Sequence, residues 1–244
     1  MRKLILLFAA FIVLFSSCSS QVSGVLRGGG SADLVIKASL QPRMSALIRS
    51  LKTVLGNSNT AIAASGTDLI LDGVSITRSM QASPGVSSVQ FTNSGPAALD
   101  GTIAVSKVED FLSSGASTQF ITFSESSVNG KPSGRILISL DRKTIPALLV
   151  YFSAETSDYL SALMAPAVID EDISKTDYLS LVSSLYGQGV ADEIQAASIN
   201  VTLQLPGPVT SVRGGSFTGN QAVFDVSVLD LLVLDTPLSW EIVW

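Results

Sequence analysis

Ile199-Asn200-Val201-Thr202-Leu203-Gln204-Leu205 alternates apolar and polar residues without a break. A strand turns successive side chains to opposite faces, so Ile199, Val201, Leu203 and Leu205 share one face, while Asn200, Thr202 and Gln204 share the other. The closing residues repeat the pattern: Leu238, Trp240, Ile242 and Trp244 alternate with Ser239, Glu241 and Val243. Strands with one apolar face need a sheet and a covering layer to bury that face.

Further strands lie upstream. Residues 22–27, Gly28-Gly29-Gly30 and residues 32–40 read as a hairpin, with Leu34, Ile36, Ala38 and Leu40 on one face of the second arm. Residues 86–92 and 99–105 form a second pair around Asn93-Ser94-Gly95-Pro96. Residues 118–126 and 134–140 flank Asn129-Gly130, a dipeptide that tolerates the positive φ of a tight hairpin turn.

Helical patterns fill the spaces between. Pro42 opens a helix whose stripe is Met44, Leu47, Ile48, Leu51 and Leu55, stopped at Gly56-Asn57. Residues 67–81 read as a helix broken at Gly73, and Ser106 with Glu109 as a capping box. Residues 144–195 read as helical: one stripe carries Phe152, Tyr159, Leu160 and Leu163. Ser174 caps a second, with Tyr178, Leu181, Val182 and Leu185, stopped by Gly187 and Gly189. The expected fold is α+β: an antiparallel sheet built from the N-terminal, central and C-terminal hairpins and strands, shared by the first and last strands. A helical segment of about residues 144–195 packs against it.

Composition narrows the function. The 244 residues are 46% apolar and 14% charged, as in a globular chain. A formal charge of −5 argues against a nucleic-acid partner, because phosphate neutralisation needs Lys and Arg. The absence of His removes Ser-His-Asp, Cys-His and His-ligated metal chemistry, and the single Cys removes an intrachain disulfide and CxxC sites. No cofactor or metal is implied. No Ser-x-x-Lys, Gly-x-Ser-x-Gly or phosphate-loop spacing is present. A hydrolase built from a distant Ser and Lys, or from paired carboxylates, stays open as a lesser alternative. Asp170-Glu171-Asp172 lacks the alternating ligands of a calcium loop and reads as a solvated loop, and Asp192-Glu193 as a solvated helix face.

The N-terminus reads as an address. Arg2 and Lys3 precede an unbroken apolar run over residues 4–15. Twelve residues make a helix of about 18 Å, short of the ~30 Å hydrocarbon core, which fits a signal peptide. Phe15-Ser16-Ser17-Cys18 resembles a bacterial lipobox, the site where signal peptidase II cuts and Cys18 is lipidated. Phe15 stands where that pattern prefers Leu, similar to the relaxed lipoboxes of spirochaete lipoproteins. The expected organisation is a signal peptide over 1–17, a lipidated tether over 18–24 and a single α+β domain over 25–244. Loss of Arg2 and Lys3 leaves 13 basic against 20 acidic residues, so the acyl groups, palmitate among them, are the expected membrane hold.

The segment Ile199-Asn200-Val201-Thr202-Leu203-Gln204-Leu205-Pro206-Gly207-Pro208-Val209-Thr210-Ser211 resembles the LppM-like envelope lipoproteins. They too open with a lipidated Cys, a hairpin and a Pro-led segment, as Cys18, the arms around Gly28 and Pro42 do here. The resemblance implies an extracytoplasmic lipoprotein of the cell membrane or outer membrane, periplasmic or surface-facing, that binds envelope lipid or glycolipid. It transfers no catalytic residue. Some relatives carry a C-terminal transmembrane helix, and this chain stops at Trp244 without one.

The aromatic residues supply a candidate site. Tyr151, Phe152, Tyr159, Tyr178 and Trp240 fall in helix or strand stripes and would line an apolar groove between helices 144–186 and the sheet. The expected function is a non-enzymatic, lipid-anchored binding protein. The alternative is a structural or protein-interaction lipoprotein, a surface antigen or accessory subunit.

Overall fold

A computed structural model of the chain describes residues 19–56, 69–112, 120–128, 130–149, 154–164 and 173–244. The alternating segments form two sheets. The larger contains β1 (Ser19–Arg27), β2 (Ser31–Ser39), β3 (Val86–Gly95), β4 (Ala98–Val105), β7 (Ser198–Gln204), β9 (Ser216–Thr218) and β10 (Gln221–Ser227). Its order is β3-β4-β2-β1-β7-β10-β9. The smaller contains β5 (Ile121–Val128), β6 (Lys131–Leu140), β8 (Ser211–Arg213) and β11 (Leu238–Val243), in the order β5-β6-β11-β8. β1 and β7 run parallel, and the other described pairs are antiparallel.

Register aligns the apolar residues. In the large sheet Leu34 pairs with Gly24 and Ile103, Gly24 with Leu203, and Leu203 with Ala222. In the small sheet Ile138 pairs with Ile121 and Trp240, and Ile136 with Phe123 and Ile242. Each sheet therefore has one apolar and one polar face, as period-two patterning requires. The apolar faces pack together: Leu26, Phe91, Ile103, Leu205 and Phe224 share a core with Ile242 and Trp244. Between β8 and β9 the chain crosses from one sheet to the other over Gly214-Gly215. Gly214 has φ +76°, and a side chain on Gly215 would strike the Val223 carbonyl.

Helices α1 (Pro42–Gly56), α4 (Ile145–Leu149), α5 (Ala154–Leu163), α6 (Lys175–Tyr186), α7 (Gln188–Ala196) and α8 (Val228–Val233) contribute to a second core. Ile145, Ile194 and Val233 are wholly buried there. Each such side chain is worth about 1.5–3 kcal/mol of transfer free energy. Met44, Leu47 and Ile48 of the α1 stripe are buried in the same cluster. Helices α2 (Gly73–Gln81) and α3 (Val108–Leu112) flank the sheets.

The α+β class stands, and several details change. The sheet is divided, with the first strand in one part and the last in the other. Their apolar faces are buried across the interface rather than side by side. Residues 19–24 form the first part of β1, paired with β7 from Ser19 and with β2 from Gln21. Their polarity suits an outer sheet face that alternates with inward Val22 and Gly24. Gly73 starts a helix instead of breaking one. Asp72 caps it, accepting from the Val74 and Ser75 amides at 3.0 and 3.3 Å. The Ser106 hydroxyl donates to the Gly85 carbonyl, a loop contact in place of a capping box. Gly187, at φ +92°, ends α6, whereas Gly189 lies inside α7. Ser174 caps α6 as its sequence implies, accepting from the Asp177 amide at 3.1 Å.

Candidate functional site: an apolar cavity between the sheets

The two apolar faces leave space between them. A cavity of about 300 Å³, partly open to the surface, lies between β7 and β10 on one side and β5, β6 and β11 on the other. Ile199, Val201, Leu203, Phe224 and Val226 line it from the large sheet. Ile121, Ile136, Ile138, Leu140, Trp240 and Ile242 line it from the small sheet, joined by Phe120 and by Leu231 of α8. Every lining residue is apolar. A second apolar space of about 160 Å³ shares Ile121, Ile136, Ile138 and Leu203 with the first and extends to Leu26, Val105 and Phe111. Gly24 lines this extension, and a Cβ there would stand 2.7 Å from Leu203 Cδ2 and 2.8 Å from Leu34 Cδ2. The absent side chain leaves room that Leu203 and Leu34 occupy from the neighbouring strands.

Charge is kept outside the seam. On the outer face of the small sheet Glu241 accepts from Arg135 at 2.6 Å and faces Arg213 at 3.0 Å. Both arginines are half-exposed, so these pairs add little stability. Lys175 bridges Asp230 at 2.9 Å and Asp235 at 3.6 Å, tying α6 to α8. The hydrogen bond to Asp230 leads in raising its pKa. Among the described residues no titratable side chain lines the main cavity. Among the described residues no group of three or more His, Cys, Asp or Glu comes together to hold a metal. The arrangement can enclose an apolar chain among described residues that are all apolar.

The sequence-derived groove is assembled differently. Trp240 lines the cavity, but from the small sheet. Tyr178 is a core residue, 3% exposed, whose hydroxyl donates to the Leu163 carbonyl at 2.9 Å. Burial pushes its pKa up to about 12. Tyr159 is on α5, with its side chain outside the described residues, as are Tyr151 and Phe152 altogether. Among the described residues the apolar space that Trp240 lines lies between sheet and sheet. Phe15, Ser16, Ser17, Cys18 and the acidic run at 170–172 also lie outside the described residues. Glu193 is no solvated bystander: its carboxylate accepts from the Met44 amide at 2.8 Å and the Arg43 amide at 3.3 Å, capping α1 from α7.

Ile121, Ile136, Ile138, Val226 and Leu231 were invisible as site residues. Ile136, Ile138 and Leu140 do alternate in the sequence, a signal for a buried face, but alternation does not name the surface opposite. No described helix is long and apolar enough to cross a membrane. No family model matches the chain, and no curated protein matches it. Among solved structures, the folded domain of the Mycobacterium tuberculosis LppM protein, determined by NMR, is similar over 93% of this chain and 88% of that one, with 10% identity and a TM-score of 0.39.

Proposed function

We propose that this protein is a lipid-anchored, extracytoplasmic envelope lipoprotein that holds one acyl chain of an envelope lipid or glycolipid between its two sheets. The inter-sheet cavity carries the reading. The cavity is partly open, so without a guest its apolar lining stands against water, and water gains no hydrogen-bond partner from that lining and does not stabilise it. An acyl chain does, at ~0.8 kcal/mol per buried CH₂. The volume is at the low end for small-molecule sites, which suits one slender chain rather than a two-tailed lipid. The lipobox-like Phe15-Ser16-Ser17-Cys18 supplies the anchor.

Native mass spectrometry of the protein purified from membranes, with solvent extraction of bound lipid, tests the reading. A stoichiometric acyl-bearing ligand is expected. A protein that carries none, and whose melting point is unmoved by added palmitate, overturns it.

One observation favours the protein-interaction alternative. Leu181, Leu185 and Tyr186 of α6 are 48%, 63% and 43% exposed and lie close together on the helix. Crosslinking in intact cells through this face would give a discrete heterologous product if the patch docks a partner.

A further inference from the structure

The inner face of the small sheet changes character along its length. Strand alternation places four pairs of β5 and β6 on that face in turn: Ile121 with Ile138, Phe123 with Ile136, Glu125 with Gly134 and Ser127 with Pro132. Ile121, Ile136 and Ile138 line the main cavity, whereas Phe123, Glu125, Ser127 and Pro132 line a separate cleft of about 560 Å³ that opens to solvent. The large sheet ends its apolar face here too. Leu26 pairs with Ala32, both buried, and Gly28-Gly29-Gly30 then turn the chain from β1 into β2. The two ends face each other: a Cβ on Gly30 would stand 3.4 Å from Glu125 Oε2, and one on Gly28 3.6 Å from Pro132 Cγ. Lys107 and the start of α3 form the remaining wall of the cleft, and the Val108 amide donates to the Gly30 carbonyl at 2.7 Å. Val108 also lines the apolar extension of the main cavity, so the cleft and the seam adjoin at that residue.

Resting on the acyl-chain reading above, we infer that this cleft holds the headgroup of the bound lipid, and that the headgroup is uncharged and rich in hydroxyls, as a sugar is. An apolar space with a few polar groups at one end is how a site orients an amphiphile. Charge selects the headgroup. Glu109, Asp110 and Glu125 line the cleft against Lys107, which already faces Asp110 at 3.8 Å. A phosphate or carboxylate headgroup would meet like charge. An ammonium headgroup only donates, and would leave Lys107, itself only a donor, without an acceptor. A hydroxyl both donates and accepts, so a polyol can serve the carboxylates, Lys107 and the Ser127 hydroxyl together. Bare backbone leaves room for a ring: nothing lies within 4 Å of where a side chain would stand at Gly29 or Gly130, both on the rim.

The experiment holds the tail constant and varies the head. The full chain, held in amphipol, is offered an equimolar mixture of dodecyl maltoside, laurate and dodecyltrimethylammonium below their micelle-forming concentrations, and native mass spectrometry reads the occupancy of each by mass. Maltose alone is the control for the head without a tail. Expected is dodecyl maltoside ahead of both charged probes by about tenfold, with maltose alone far weaker. Glu125→Ala should lower maltoside occupancy by about tenfold without lowering laurate, a change of selectivity that a merely structural role would not produce. Ser127→Ala, at an exposed position, is the second variant should Glu125→Ala fail to fold, and should weaken the maltoside by about threefold. Equal occupancy of the three probes overturns the inference and leaves the acyl-chain reading standing, because the head then lies outside the cleft. Laurate or the ammonium bound most tightly overturns the headgroup class. Maltose that binds as tightly as its dodecyl form overturns the link between cleft and seam. A preference for maltoside untouched by both variants overturns the placement. If none of the three tailed probes binds, the acyl-chain reading itself fails.

Discussion

Val201→Phe probes whether the space between the sheets is real and what it is for. Val201 is half-buried and projects from β7 into the cavity, toward the small-sheet residues Ile138 and Trp240. Phe adds four carbons to the side chain. At ~0.8 kcal/mol per buried CH₂ the upper limit of the gain is about 3 kcal/mol. Forcing the same atoms into a filled core would cost ~1–3 kcal/mol. The sign of the change in ligand-free protein therefore reports whether there is room. The second readout is linkage: palmitate at a hundred times its Kd stabilises a binding protein by ~2.7 kcal/mol, and a filled cavity forfeits that term. Urea titrations of both proteins, with and without palmitate, should show the variant more stable than the parent when lipid-free and unresponsive when lipid is added. A variant destabilised under both conditions would refute the cavity. A variant still stabilised by palmitate would falsify its assignment as the acyl site. Val226→Phe, from the neighbouring strand, repeats the test should position 201 prove locally strained.

Three further outcomes are expected. Cys18→Ala should abolish palmitate labelling and membrane retention while leaving the melting temperature of the domain unchanged, checked by metabolic labelling and fractionation. Tyr178→Phe should cost about 1 kcal/mol by denaturant titration, because the Leu163 carbonyl loses its buried donor. The parent Tyr178 should ionise at about 12, and its contribution should disappear as pH rises from the unfolded value of ~10 through that point. Asp72 is held below the usual carboxylate range, first by the Ser75 hydroxyl at 2.5 Å and also by the Val74 and Ser75 amides. Its contribution is therefore present above a pH of ~4 and lost as pH falls. Asp72→Ala should cost ~1 kcal/mol at pH 7 and less at pH 2.5, in paired urea titrations.

The strands and most helices were legible because their signals are local. The alternation at 199–205, the stripe of Met44, Leu47 and Ile48, and the Ser174 cap each specify an element from within a few residues. What depended on distant partners was not legible. Period two states that Ile138 and Val201 each face something apolar, but not that they face each other, so one shared sheet was expected where there are two. The parallel β1/β7 pairing joins residues nearly 180 positions apart, and nothing in Ser19-Ser20-Gln21 announces it. Glu193 looked solvated because its partners are the main-chain amides of Arg43 and Met44. Between Pro206 and Pro237 two three-residue strands and a six-residue helix are too short for a periodic signal to accumulate, and they flank the one longer strand, the seven-residue β10. This stretch nevertheless supplies β10 and Leu231, a wall and an end of the cavity.

The cavity follows from where bulk is placed along the seam. Stacked sheets pack ~10 Å apart, and the side chains between them must fill that distance. At one end Phe123 and Trp244 meet with ring centroids 6.3 Å apart, and the Trp244 ring lies against Gly134. At the other, Phe120 and Leu231 stand between the sheets and the helical core. In the middle Val201, Leu203, Ile136 and Ile138 stand beside Phe224 and Trp240, and the cavity lies among them. Phe123 and Trp244 both stand on the small sheet, so at that end it is their bulk that fills the seam; at the other end α8 is fastened to α6 by the Lys175 bridge. The same sequence that gives the sheets apolar faces therefore denies those faces full contact, and leaves the apolar space in which we propose that an acyl chain sits.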